Sequence, residues 1–162
     1  MGYTGPKGGA AMLDLDRIGK YREDDRLEAK LATGGLPQSI WETYSAFANS
    51  RGGLILLGVE ELPDHTLRVQ GLLDPHEMAE EFWCMVEDPE VVSANILRPE
   101  DIWVAGTEDG AVLVIEVPPA QRGQLPVYQG KDPLRRPCRR SGEGDYRCTR
   151  AEVWSMLEAK QH

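Results

Sequence analysis

Cysteine is scarce in this sequence: Cys84, Cys138 and Cys148 are the only three, and no two stand at CxxC spacing. That excludes a disulfide framework and a structural zinc site, and a reduced cytoplasmic protein is the simplest reading. The three histidines, His65, His76 and His162, are scattered and form neither a ligand spacing nor a catalytic pair. No hydrophobic run approaches the roughly 18 residues of a membrane span; the densest is LILLGV, residues 54–59. The first residues lack the apolar stretch of a signal peptide. Pro6, Gly8 and Gly9 mark residues 1–12 as a flexible lead-in to one domain over 13–162. The glycine-rich stretches TGG, SRGG and RSGEGD do not read GxxxxGK[ST], so nucleotide binding is not expected of this chain.

Net positive charge is also missing: the balance is −9. That speaks against nucleic acid until the distribution is considered. Residues 131–150 hold seven basic side chains against three acids, whereas residues 60–109 hold fourteen acids against Arg68 and Arg98. A basic strip attracts phosphate locally whatever the total charge. The alternative is that the two regions neutralise each other within the fold.

What is present is a mixture of both periodicities. Residues 13–22 suit a short helix. Residues 26–32 alternate, with Leu27, Ala29 and Leu31 on one face and Glu28 and Lys30 on the other. Pro37 opens a helix to about residue 50, with Ile40, Tyr44, Phe47 and Ala48 on its apolar face. Gly52 suits a left-handed cap, and Asn49 is placed to satisfy backbone groups at that helix end. Residues 54–60 then read as one buried strand, with Gly58 marking a bend or close approach. LPDHT turns into a short return strand, and Asp74-Pro75 caps a helix to about residue 87. Residues 101–107 and 111–117 form a hairpin, and 125–130 reads as a further strand. Thr149 with Glu152 opens a C-terminal helix. The order gives one α+β domain with a mixed β-sheet and packed helices.

Two features carry chemistry on the residues alone. LRRPCRRSGEGDYR gathers Arg135, Arg136, Arg139, Arg140 and Arg147 around a glycine-containing loop. The planar guanidinium donates paired hydrogen bonds to phosphate, and Tyr146 offers a stacking face. That points to nucleic-acid binding, DNA or RNA, largely independent of sequence. Trp41, Trp83, Trp103 and Trp154 are mainly core candidates, but an exposed one would anchor a protein partner or a homodimer.

The segments RLEAK, IWETYSAFANSRGGLILLGVEE, VQGLLDP, VIEVPPAQRGQLPVY and RRSGEGDYRCTRAEVWSML, in this order, resemble the Schlafen-type Alba-like domain. In bacterial RecG-like transcriptional regulators that domain is assigned to DNA binding, and an ATPase-like region often follows it. The sequence departs from the pattern at Ala29, where an aromatic is usual, and at Glu60-Glu61, where aspartates are usual. The resemblance implies a DNA-binding module of a regulator, with a homodimer among its partners. It also implies an alternative. Animal Schlafen proteins with RNase activity carry acids at the spacing of Glu23 and Glu28 and another after the GV pair. Carried over, Glu23, Glu28 and Glu60, or Glu61 in its place, would hold Mg²⁺ or Mn²⁺ for a nuclease, with Lys30 on the phosphate.

Overall fold

The computed structural model describes residues 13–130 and 137–161. The lead-in expected over residues 1–12, together with Lys131, Arg135, Arg136 and His162, lies outside them.

Among the described residues, eight strands and three α-helices follow in chain order. They are β1 (Leu27–Lys30), α1 (Ile40–Ala48), β2 (Gly53–Leu57), β3 (Val59–Glu61), β4 (Leu67–Val69) and α2 (Pro75–Val86). β5 (Ile102–Thr107), β6 (Gly110–Val117), β7 (Cys138–Ser141), β8 (Gly144–Arg147) and α3 (Arg150–Gln161) complete the set. A central sheet runs β1-β2-β6-β5, with β1 parallel to β2 and the other pairs antiparallel. β3–β4 and β7–β8 are separate two-stranded hairpins. The mixed sheet with packed helices is the α+β architecture expected.

The central strands are apolar but for Glu116 in β6, because both faces of the sheet are covered. On one face Ile55, Leu57, Leu113, Ile115 and Val117 pack against Tyr44 and Phe47 of α1 and Phe82 of α2. Trp41 stacks on Phe82 with centroids 4.9 Å apart, which joins the two helices. On the other face Leu27, Ala29, Leu56, Val112 and Val114 meet Ile18, Leu67 and Val69. A 3-10 segment, Leu15–Lys20, supplies Ile18 where a short helix was expected.

α2 begins as its sequence dictates: the Asp74 side chain accepts from the Glu77 N–H at 3.0 Å, with Pro75 in the first turn. Thr149 and Glu152 exchange hydrogen bonds of 2.8 and 3.1 Å ahead of α3. Gly52 has φ +77 and donates to the Phe47 carbonyl, so a left-handed residue does close α1.

Four local expectations are corrected. The apolar run 54–60 is not one strand. Gly58, at φ +95, turns the chain out of the central sheet into the β3–β4 hairpin. A Cβ there would lie 2.9 Å from Leu72 Cγ, so glycine is required sterically as well as conformationally. Residues 125–130 form no strand; they are held by side chains of α1 and by an isolated bridge from Gln129 to Val92. Leu31 is exposed, because β1 ends at Lys30. α1 starts at Ile40 rather than Pro37, after a non-α turn.

Candidate functional site

The site lies at the free edge of β1, where three segments distant in sequence converge. Alternation along β1 turns Leu27 and Ala29 into the core and leaves Glu28 and Lys30 on the opposite face. Glu23 precedes the strand, and its Oε2 accepts the Ala29 N–H at 2.9 Å. Edge strands expose such donors, and this carboxylate covers one. Glu61 ends β3 and reaches the same neighbourhood. The charges of Glu28 and Glu61 both act on Glu23.

Glu60, the residue named from the spacing, does not join them. Its carboxylate accepts from the Arg68 guanidinium and, at 3.0 Å, from Gln70 Nε2. Glu60 lies opposite Arg68 in the β3–β4 register, and adjacent strand residues point to opposite sides. The acid facing Glu23 is therefore Glu61.

Glu61 also carries the group outward. Its Oε2 lies 3.5 Å from His65 Nδ1, and one ligand atom each from Glu61, His65 and Glu143 lies within 4.8 Å of the others. Glu143 comes from the tip of the β7–β8 hairpin. Sequence reasoning missed both His65 and Glu143. The i, i+4 relation of Glu61 and His65 across a tight turn was the available signal for the first. None existed for the second, which depends on a tertiary contact.

Burial pushes the Glu23 carboxyl up to about 7, and the neighbouring Glu28 and Glu61 charges add to the rise against the Ala29 hydrogen bond. A half-buried acid among acids is poised to hold a proton or to welcome a cation near neutral pH.

The basic residues divide into several kinds. Lys30 stands beside Glu28, with Nζ 3.8 Å from its Oε2, and donates to Ser39 Oγ at 3.0 Å. Arg140 is not a surface residue: its side chain is 1% exposed. It donates to Glu28 Oε1 and Asp145 Oδ1 at 2.8 Å each, and to the carbonyls of Asp24 and Leu27. Its guanidinium carbon lies 4.9 Å from the Phe47 ring centroid. Arg140 therefore builds the wall of the site and has no donor face left for a phosphate. Arg139 donates to the Asn49 carbonyl and pairs with Glu152, whose carboxylate also accepts from Tyr146. Arg147 is exposed and has a partner of its own.

Ser45 and Asn49 of the SAFANS stretch have a different task. Asn49 Nδ2 donates to the carbonyls of Val127 and Cys138 at 2.8 Å each, and its Oδ1 accepts the Val127 N–H at 2.8 Å. Ser45 Oγ donates to the Val127 carbonyl and accepts the Cys138 N–H. These side chains fasten the strandless segment around Val127 and the first residue of β7 to the C-terminal end of α1. The expectation that Asn49 serves its own helix end is corrected accordingly.

A mixed sheet covered on both faces, with a group of carboxylates at its edge strand and a clamped hairpin beside it, defines an α+β domain with an acid-lined site at the β1 edge. The chain belongs to the Schlafen, AlbA_2 family, whose pattern matches residues 23–149. The fold resembles the solution NMR structure of the N-terminal domain of a RecG-related protein from Nitrosomonas europaea. Identity is 29% and the TM-score 0.61, over 83% of this chain and 90% of that one. It also resembles the crystal structure of the DIP2311 protein from Corynebacterium diphtheriae, at 20% identity and TM-score 0.55. That likeness covers 84% of this chain but 27% of the longer one, and concerns the fold alone. No curated protein matches. Among the described residues no helix is long and apolar enough to cross a membrane.

Proposed function

We propose that this chain is a nucleic-acid-binding module, of the kind that supplies the DNA contact of a bacterial transcriptional regulator. Family membership supports it, and so does the name of the Nitrosomonas europaea relative, an ATP-dependent DNA helicase RecG-related protein. The observation that carries the reading is the convergence of Glu23, Glu28 and Glu61 beside Lys30. Carboxylates repel phosphate, so phosphate contact at this face requires a divalent cation between them. The donor set is hard oxygen with one imidazole at its rim, which suits Mg²⁺ or Mn²⁺. Glu61, His65 and Glu143, whose ligand atoms lie within 4.8 Å of one another, would hold it, and Glu23 and Glu28 would add negative charge behind them. A cation there supplies neutralising charge and lowers the pKa of bound water. Lys30 contributes a fixed positive charge, and Arg140 holds Glu28 in place from behind.

A second reading, phosphodiester cleavage at the same face, is favoured by one observation. With its pKa near 7, Glu23 accepts or returns a proton at neutral pH, which is what a general base must do.

The test is a titration of labelled DNA and RNA against the protein, with and without Mg²⁺ or Mn²⁺, with the same samples run on gels. Divalent-dependent binding that weakens at least about tenfold in Glu61→Gln, with intact nucleic acid, supports the module. Cleavage that disappears in Glu23→Gln supports the second reading. Binding indifferent to both metal and Glu61 removes the carboxylates from either role.

A further inference from the structure

α2 carries a second surface that shares no residue with the carboxylate site. A cleft of about 500 Å³ lies between α2 and the loops that follow β1 and β4. Ala32, Leu72, Leu73 and Met78 supply its apolar lining, and Asp74, Glu77 and Glu81 its charge. Asp74, Glu77, Met78 and Glu81 recur at helical spacing, so the three carboxylates share one face of α2 with the methionine. No lysine or arginine is among the residues that line the cleft. Leu73 is fully solvent-exposed, and Leu31, next to Ala32, is more than a third exposed. Leu73 thus adds an exposed apolar side chain to the cleft's own lining.

We infer that this cleft docks a cationic amphipathic peptide segment of a protein partner, its apolar side chains over Leu73 and into the cleft and its lysines or arginines against Asp74, Glu77 and Glu81. Charge complementarity selects that occupant. Nucleic acid and an anionic lipid surface are both repelled by three unneutralised carboxylates. The negative potential is felt on the helix itself. Glu77 is held above the usual carboxylate range, first by its hydrogen bond with Asp74, then by the charges of Asp74, Glu81 and Glu80. The apolar lining combines with the carboxylates of a full helical turn, so the surface fits an extended or helical segment better than a compact amine. Amphipathic helices bind apolar grooves with anchors at this kind of spacing.

The probe is a fluorescent twelve-residue peptide of leucine and lysine at amphipathic helical spacing, followed by anisotropy. Two control peptides replace every leucine with serine or every lysine with glutamate. The Leu/Lys peptide should bind, and neither control should. Affinity should fall at least about tenfold in Leu73→Ser and in the Glu77→Gln/Glu81→Gln double variant, and stay unchanged in Glu100→Gln, an exposed acid elsewhere. Leu73 is fully exposed, so its substitution leaves the core intact, which circular dichroism verifies. Absence of binding, equal binding by the Ser/Lys peptide, or unchanged affinity in Leu73→Ser would each overturn the inference. So would self-association of the protein abolished by Leu73→Ser, since the occupant would then be a second copy.

Discussion

At the scale of single residues, Glu23 is the most informative side chain. Its carboxyl titrates near 7 in the folded protein and near 4.5 when unperturbed. Below about pH 4.5 it is protonated in both folded and unfolded chains and costs nothing. As pH rises through 4.5 to 7 the unfolded chain ionises first, so stability is lost across that window. Glu23→Gln cannot ionise, and its Oε1 keeps the Ala29 bond. The variant should match wild type at pH 4.5 and exceed it at pH 8. Solvent screening of this half-buried group limits the gain to about 2–4 °C in Tm. Mn²⁺ should raise wild-type Tm at pH 8 and leave Glu61→Gln nearly unmoved. Equal pH profiles in thermal melts would show that Glu23 ionises normally. Asn49 tests the structural reading of the SAFANS stretch. Asn49→Ala strands the Val127 N–H and the Cys138 carbonyl inside the protein, while Ser45 Oγ keeps the Val127 carbonyl, and should cost about 2–4 kcal/mol in denaturant unfolding, because orphaned buried groups lose their full solvation. The sequence allowed either Glu60 or Glu61 as the third acid. Only the pairing of Glu60 with Arg68 decides it, and that pairing is a matter of hairpin register.

At the scale of elements, the β7–β8 hairpin poses the energetic question. Two four-residue strands with a mostly exposed second strand are marginal alone. What fixes them is Arg140, reaching across to β1 and the turn before it, with help from the Asn49–Cys138 bond and from Ser50 Oγ, which accepts the Arg140 N–H. Arg140→Met should cost about 3–5 kcal/mol, because Glu28 and Asp145 keep their charges and lose the shared partner. Amide exchange should quicken in residues 138–147 well before β2 and β6. Uniform acceleration across the sheet would mean that the hairpin is part of one cooperative unit. Capping boxes, the Gly52 cap, α2 and the β5–β6 hairpin were legible because each depends on residues within a few positions. The buried role of Arg140 was not. Seven basic residues in one segment read as a solvated strip, and Glu28, 112 residues away, gives no local sign of the pairing. The turn at Gly58 was legible as a bend but not as an exit from the sheet, since both strands it separates are apolar.

At the scale of the molecule, Arg139 and Arg140 of the basic segment are neutralised by Glu28, Asp145 and Glu152, none of which belongs to the acidic region 60–109. Arg140 faces Glu28 and Asp145, Arg139 faces Glu152, and Arg51 faces Asp25. The family and the α+β class were readable over nearly the whole chain because they rest on ordered motifs. The binding surface was not, because the count of arginines says nothing about which are already engaged. This changes the expected salt dependence of nucleic-acid binding. If residues 131–150 met phosphate as a full strip, log K against log salt would fall with a slope of about −5 or steeper. Arg139 and Arg140 are engaged within the fold, and a contact made through a cation at the carboxylate edge would use few of the five basic residues of that segment that are left. The expected slope in Mn²⁺-containing buffer is about −1 to −3, and binding in EDTA should be much weaker at every salt concentration. Competition between monovalent and divalent ions is held constant by fixing free Mn²⁺ across the series. A slope near −5 that survives EDTA would place the contact on the arginine-rich segment instead and leave the carboxylate edge with a structural role.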